Sequence, residues 1–468
     1  MSWHVHHGDT LAHLAQLPAR SFDAVVADPP YGIGFHGHEW DQPGLQARAS
    51  GYSKVGARTT IGRSGAVTAG SYDLSAPAQR SYQQWTEQWA REALRVLKPG
   101  GHLVSFGAPR TWHRLAVGLE DAGLEIRDTL VWLFGSGLPK SKNLTGAHRG
   151  AGTALKPAWE PIVLARAPLA VRSVQRNAEA FGTRALQIDA CRITVADRAR
   201  YAANCSGDRG HAHTRAARSA KDLHAGGGSA SDVGRWPANV LLGHEPDCGP
   251  AACAADCVVR ALDELAGDRP AGGDLTGLEP SPPVRRVYRQ MGRHAWFSYG
   301  DHGGPSRFFY SAKTSAAERE AGLRGRLGCV DCGRLTSSTH PGPGGALEPC
   351  RRNDHPCVKP LELMRWLCQL VTLPGGRVLD PFAGSGTTGA AAALEGLDYL
   401  GIEREPWTHA RTSRPYAQLA RARIAWWATQ PPGLSVERIL TAAGERLRRQ
   451  QSGQASIDEL LEPADRAA

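Results

Sequence analysis

Along the chain, short apolar runs alternate with stretches whose apolar residues recur every three or four positions. Phe22–Ala27, "FDAVVA", is almost continuously apolar and carries β-branched Val25 and Val26, which predicts a buried strand. "WHVHHGD", "HLVSFG", "LEIRDTLVWLFG" and "WEPIVLAR" predict further strands. Between them, "YQQWTEQWAREALRVLKPGG" predicts a helix over Tyr82–Leu97, stopped by a basic last turn followed by proline and glycine. Strands separated by helices predict an α/β fold built on a parallel sheet.

This texture divides the chain. It holds over 1–168, except that Gln42–Gln79 is rich in Gly, Ser and Ala and carries Arg48, Lys54, Arg58 and Arg63 with no acid before Asp73. That stretch reads as a mobile basic loop. Over 169–350 the alternation fades into glycine clusters, His, Arg and isolated apolar patches such as "WPANVLL" and "SRFFYSAK", which predicts an inserted, loop-rich module rather than more of the sheet. It returns over 351–430 with the helix "PLELMRWLCQLV", the strand "GRVLDPF", the helix "TTGAAAALEGL", the strand "DYLGIE" and the helix "YAQLARARIAWW". Residues 431–468 form a charged, helix-prone tail.

With 468 residues, more than one unit is expected. The net charge of +10 fits a polyanionic partner better than a neutral metabolite. No apolar run approaches the roughly 20 residues that span a bilayer, and "MSWHVHHGD" lacks the regions of a signal peptide, so a cytoplasmic protein with no membrane partner is expected. Ten cysteines without such a signal argue for thiols or a metal site rather than a disulfide framework.

Two motifs carry the chemistry. After the strand Phe22–Ala27 comes Asp28, followed by two prolines that lack amide donors and fix their own φ, so the chain leaves the sheet as a rigid, acid-bearing turn. The second is "VLDPFAGSGTTGAAAALEG", Val378–Gly396, where a strand enters a glycine-rich turn and then a helix, with Glu403 after the next strand. Such a turn admits a ligand at a helix N-terminus, and the later acid can hold a ribose diol. Gly384, Gly386 and Gly389 also fit G-x-G-x-x-G, whereas a P-loop would need Lys where Thr387 stands. Asp380 repels pyrophosphate but suits a cation, which favours the sulfonium of S-adenosyl-L-methionine over NAD.

In this order, "DPPYGI" and then "DPFAGSGTTG", the sequence resembles the site-specific amino-methyltransferases of DNA, with a target-recognition region between the motifs. "WLFGSGLPKSKN", "GTALKPAWEPIVLARAPL" and "NDHPCVKPLELMRWL" extend the likeness, which has a prophage-borne character. Cys357 replaces the usual Thr of "HPTxKP", and Ser311 a frequent Cys. The resemblance implies a Rossmann-like, circularly permuted methyltransferase sheet with an irregular recognition insert. It also implies methyl transfer from S-adenosyl-L-methionine to the N6 amine of adenine in double-stranded DNA.

Asp28, Pro29, Pro30 and Tyr31 would be catalytic. An ionised Asp28 and the Pro29 carbonyl would each accept one N–H of the amine, and Tyr31 would stack on a flipped base. Cofactor contacts would fall on Asp380, Pro381, Phe382, Gly384, Gly386 and Thr387, with Glu403 on the ribose, Asp9 reading the adenine and Lys359 and Pro360 lining the methionine pocket. Asp at the first motif position leans towards adenine. N4-cytosine is the nearest alternative, ahead of an RNA or protein amide substrate and of an inactive DNA-binding remnant. A homodimer and a restriction partner are both left open.

No metal is assigned. Cys329 and Cys332 have a zinc-knuckle spacing that Cys350 and Cys357 could complete, but the C-x6-C spacing of the second pair favours plain thiols. His244, Cys248, Cys253 and Cys257 form a second, less regular set. The basic loop could clamp the DNA backbone or be merely solvated, and Trp85, Trp89 and the aromatics at 132–134 read as core.

Overall fold

The computed structural model describes residues 1–32, 75–135, 137, 143–183, 185–195, 234–245, 247–249, 252–270, 301–313, 315–355 with short interruptions, 357–404 and 416–451. Most of the basic loop lies outside the described residues.

Nine strands form one sheet: β1 (Trp3–His7), β2 (Phe22–Ala27), β3 (Leu97–Phe106), β4 (Glu125–Leu133), β5 (Trp159–Arg166), β6 (Val240–His244), β7 (Tyr310–Lys313), β8 (Arg377–Asp380) and β9 (Asp398–Glu403). Their order across the sheet is β1-β9-β8-β2-β3-β5-β4-β6-β7. Every neighbouring pair is parallel except the two that involve β5, which runs against β3 and β4. The C-terminal ends of the other eight strands, and the N-terminal end of β5, therefore share one edge.

The sheet is covered on both faces, which is why consecutive residues Ala24–Ala27 of β2 and Val378–Leu379 of β8 are apolar and buried. Side chains alternate along β2. Val25 and Ala27 face a core with α1 (Thr10–Gln16), α2 (Ala76–Val96) and α3 (Trp112–Asp121), where Trp89 is fully buried. Ala24 and Val26 face the core of α7 (Leu361–Val371), α8 (Thr387–Leu394) and α9 (Tyr416–Trp427). The remaining helices are α4 (Val174–Phe181), α5 (Val258–Ala266), α6 (Ala316–Glu320) and α10 (Val436–Gln451). No helix of the described residues is long and apolar enough to cross a membrane.

Three expectations change. α2 starts at Ala76 rather than Tyr82, because Ser75 and the proline in its first turn supply a helix start inside the stretch read as loop. β5 is antiparallel. β6 and β7, from the segment read as adding nothing to the sheet, extend it by two strands. Runs as short as "VLLGH" and "YSAK" satisfy their backbone only by pairing with β4 and with each other.

Candidate active site

β2 ends at Ala27, and the chain turns out of the sheet through Asp28, Pro29, Pro30 and Tyr31. The Thr111 hydroxyl, at the start of α3, donates to the Tyr31 carbonyl at 2.7 Å and anchors this turn. Gly32 follows with φ +67°, and a Cβ there would lie 2.5 Å from the ring of Tyr82, so only glycine lets the chain pass.

Asp28 lies in a network of four side chains. Lys359 Nζ is 3.0 Å from Asp28 Oδ2, 3.2 Å from Glu160 Oε2 and 2.9 Å from the Tyr31 hydroxyl, which uses all three ammonium protons. The Tyr31 hydroxyl is 3.0 Å from Asp28 Oδ1 and 3.2 Å from Glu160 Oε2, and donates to one of them at a time. Lys359 Nζ also sits over the rings of Phe106 and Tyr31, 4.9 and 5.3 Å from their centroids. Burial acts against the Lys359 charge, but Asp28 and Glu160 outweigh it and hold the ammonium protonated above its ordinary range. Burial raises the Asp28 carboxyl, Lys359 opposes that rise and Glu160 adds to it. Two carboxylates thus share one buried cation, leaving acceptor capacity on Asp28 for a further donor.

β8 carries Asp380 to the same edge, as the parallel neighbour of β2 with Val378 opposite Ala24 and Leu379 opposite Val25. Asp380 accepts from the Phe382 amide at 3.1 Å and the Tyr399 hydroxyl at 3.3 Å. Burial pushes its carboxyl up to about 7, and the charge of Asp28 adds to the rise. Glu403, at the end of β9, accepts from the Gly384 amide at 2.7 Å and is likewise pushed by burial to about 7. Among the described residues neither acid is paired with a cation. Gly386 is the N-cap of α8 at φ +78°, and a Cβ there would lie 2.8 Å from the Ala420 backbone. Thr387 is the first residue of α8. Pro381 is buried and its carbonyl accepts from the Thr10 hydroxyl at 2.8 Å. Phe382 packs its ring on Trp89 and Trp85, with centroids 5.3 and 5.6 Å away.

Asp9 caps α1, accepting from the Ala12 amide at 3.0 Å through Oδ1. Its neighbour Gly8 donates to the Glu403 carbonyl at 2.8 Å, so Asp9 stands beside the glycine turn. Pro360 is the buried N-cap of α7, next to Lys359, whose side chain reaches Asp28 rather than the Asp380 carboxylate.

Sequence reasoning missed the residues that hold these segments. Glu160 lies in the stretch "AWEPIVLAR", which carries the strand pattern and part of the family likeness but no sign of a role for this acid. α6 fixes the segment before Lys359: Arg319 donates to the carbonyls of Asn353 and His355, Glu320 accepts from the amides of Arg352 and Asn353, and Glu318 accepts from the Leu361 amide. His355, whose imidazole is kept neutral by burial and by Arg319, packs where a Gly384 side chain would be. Arg423, fully buried on α9, donates to the Ser385 carbonyl and to the hydroxyls of Ser385 and Thr387. An Arg in the middle of an apolar helix was the one available signal.

The suggested ligand set Cys329, Cys332, Cys350 and Cys357 needs correction. Cys329 and Cys350 converge with His340, the Cys350 Sγ lying 3.8 Å from His340 Nδ1. Cys332 lies outside the described residues. Cys357 sits instead two positions before Lys359, in the segment whose His355 carbonyl accepts from Arg319 of α6.

The sequence pattern of the DNA methylase family matches residues 22–177 and 309–411, which contain both motifs and the Lys359 segment. Over 131 residues the chain is 28% identical to the type II methyltransferase M.HindIII of Haemophilus influenzae, covering 27% of this chain and 42% of that protein. Over 56 residues it is 46% identical to the type II methyltransferase M.BglI of Bacillus subtilis, covering 12% and 16%. The chain therefore spans less than half the length of these curated relatives. Among solved structures, the PvuII DNA methyltransferase (cytosine-N4-specific) superposes with TM-score 0.39 at 13% identity over 96% of this chain and 93% of that one. TTHA0409 of Thermus thermophilus, complexed with S-adenosyl-L-methionine, gives 0.35 at 17% over 93% and 98%. With more than half of its length matched around the two motifs, this chain belongs to the N6/N4 DNA methylase family.

Proposed function

We propose that this protein transfers a methyl group from S-adenosyl-L-methionine to the exocyclic N6 amine of adenine in double-stranded DNA. The observation that carries this reading is the adjacency of two unlike acid sites on one sheet edge. Asp28 follows β2 and is matched to a lysine, while Asp380 ends the neighbouring β8 without a cation of its own among the described residues.

Asp380 and Glu403 fit the methyl donor by their chemistry. Asp380 is buried and Glu403 half-buried beside a glycine turn, positioned to gain from a ligand that brings positive charge and a ribose diol. When bound, S-adenosyl-L-methionine supplies an electrophilic methyl group on a sulfonium. Glu403 would exchange the Gly384 amide for the ribose hydroxyls, and Asp380 would meet the cationic end. Phe382, packed on Trp85 and Trp89, would present an apolar ring beside the cofactor.

An exocyclic amine is a poor nucleophile because its lone pair is delocalised into the ring. Asp28 accepts one of its N–H groups and the Pro29 carbonyl the other, which favours a pyramidal nitrogen and frees the lone pair. Lys359 opposes the effect of burial and favours the ionised, acceptor form of Asp28. After transfer, Asp28 or water takes the departing proton. Tyr31, fixed through its hydroxyl and its carbonyl, presents a ring to the flipped base. The net charge of +10 supports a DNA partner. An acid rather than a hydroxyl at position 28 favours adenine.

The test is methyl transfer from labelled S-adenosyl-L-methionine to unmethylated duplex DNA, followed by nucleoside mass spectrometry. N6-methyladenine is expected. N4-methylcytosine would keep the mechanism and overturn the base, and no methylated base in DNA would overturn the substrate.

A further inference from the structure

The segment after β6 plays no part in this chemistry, yet it gathers four side chains with metal-ligand character. His244 is the last residue of β6, Cys248 lies in the following turn, and Cys253 precedes Cys257, the N-cap of α5. One ligand atom from each lies within 4.8 Å of all the others. His244 Nδ1 is 3.5 Å from Cys253 Sγ and 3.6 Å from Cys257 Sγ. Zinc–nitrogen bonds of about 2.0 to 2.1 Å and zinc–sulfur bonds of about 2.3 Å, set at tetrahedral angles, put nitrogen and sulfur ligands about 3.6 Å apart. The two observed edges are those of such a tetrahedron.

The surrounding backbone is arranged for it. The Ala254 amide donates to Cys248 Sγ at 3.3 Å, a contact that steadies a thiolate. The Cys248 and Cys257 amides donate to the carbonyls of Glu245 and Ala254, closing the turns that carry the ligands. Two of the four buried members of the local core, Leu242, Cys248, Cys257 and Val259, are ligands, and further apolar side chains such as Leu133 and Leu262 pack partly buried against them. A metal bound by these side chains would tie the turn together in addition to this packing.

We propose that His244, Cys248, Cys253 and Cys257 bind one Zn2+ ion as a structural centre. Three thiolates and an imidazole select zinc over magnesium or calcium, and four protein ligands leave no open position for water chemistry. Each cysteine releases its thiol proton to solvent as it binds. The site lies at the C-terminal end of β6, on the sheet edge that carries Asp28 and Asp380. A Cβ at Gly135, after β4, would lie 2.5 Å from the Asp256 carbonyl, so the zinc turn is clamped against the loop leaving β4. The ion therefore fixes the substrate-side rim of the sheet.

The test is zinc content of the full-length protein, purified without chelator, for the wild type, Cys253→Ser and Cys350→Ser. The last variant reports on the separate Cys329, His340 and Cys350 group. Wild-type protein should hold at least one zinc per chain, and Cys253→Ser should hold one fewer or lose it to a chelator about tenfold faster or more. Cys350→Ser should keep this ion. Should Cys253→Ser fail to fold, alkylation of the wild type read by mass spectrometry decides: Cys248, Cys253 and Cys257 should be protected until a chelator is added. Wild-type protein without stoichiometric zinc, unchanged zinc retention in Cys253→Ser, or equal alkylation with and without chelator would overturn the proposal.

Discussion

Lys359 Nζ lies 3.0 Å from Asp28 Oδ2, and in the same contact sphere it meets Glu160 at 3.2 Å. One buried cation thus serves two acids, and Lys359 and Glu160 act on the Asp28 carboxyl in opposite directions. Under the proposed mechanism, the acidic limb of the activity profile should report the ionisation of Asp28.

Removing the Glu160 charge by Glu160→Gln should lower the Asp28 pKa and move that limb to lower pH. Lys359→Met removes the opposing influence, so the limb should move to higher pH, with activity at neutral pH down by about 100-fold or more. Breaking the buried pair should also destabilise the fold by about 3 to 5 kcal/mol. Rate profiles of the two variants between about pH 5 and about 9 check this. Shifts in the same direction would separate the limb from Asp28.

Cofactor affinity should depend on pH through Asp380 and Glu403. Both carboxyls sit at about 7 in the folded, ligand-free protein because burial disfavours their charge. The folded state therefore holds more protons than the unfolded chain between the ordinary carboxylate range and about 7. Their contribution to stability is full below that range and is lost as the pH rises through about 7. A cationic ligand reverses the preference, since it binds the ionised acids. Calorimetric titration with S-adenosyl-L-methionine should show binding tightening from about pH 6 to 8, by up to about tenfold per pH unit for each proton displaced. Affinity independent of pH would separate the ligand from these acids.

Gly386 and Gly396 both have positive φ, +78° and +68°, but only Gly386 faces backbone within 3 Å of a Cβ. Gly396→Ala should cost about 1 to 2 kcal/mol of backbone strain. Gly386→Ala adds roughly 1 to 3 kcal/mol of overpacking against Ala420 and displaces the start of α8. Thermal denaturation should rank the two, and only Gly386→Ala should weaken cofactor binding.

Both motifs were legible because each is a contiguous run in which strand, turn and acid follow one another. β2, the strands around Asp380 and Glu403, and the core role of Trp89 were read from local pattern alone. What escaped was assembled from distant segments. Nothing near Glu160 in the chain indicates that Lys359 will reach it, and the grip of α6 on the Lys359 segment runs through backbone amides and carbonyls that have no sequence signature. β6 and β7 escaped for another reason: segments as short and mixed as "VLLGH" and "YSAK" become strands only when a sheet edge is already there. The antiparallel course of β5 is likewise a property of the connection, not of its residues.

The most direct test of the two-site account is Asp28→Ala, measured for both functions in the same preparation. The proposed function puts Asp28 in the amine site and Asp380 in the cofactor site. Methyl transfer to duplex DNA should fall by about 10³-fold or more, while the dissociation constant for S-adenosyl-L-methionine stays within about threefold of wild type. Retained transfer, or loss of cofactor binding in a protein whose fold is preserved, would contradict the account.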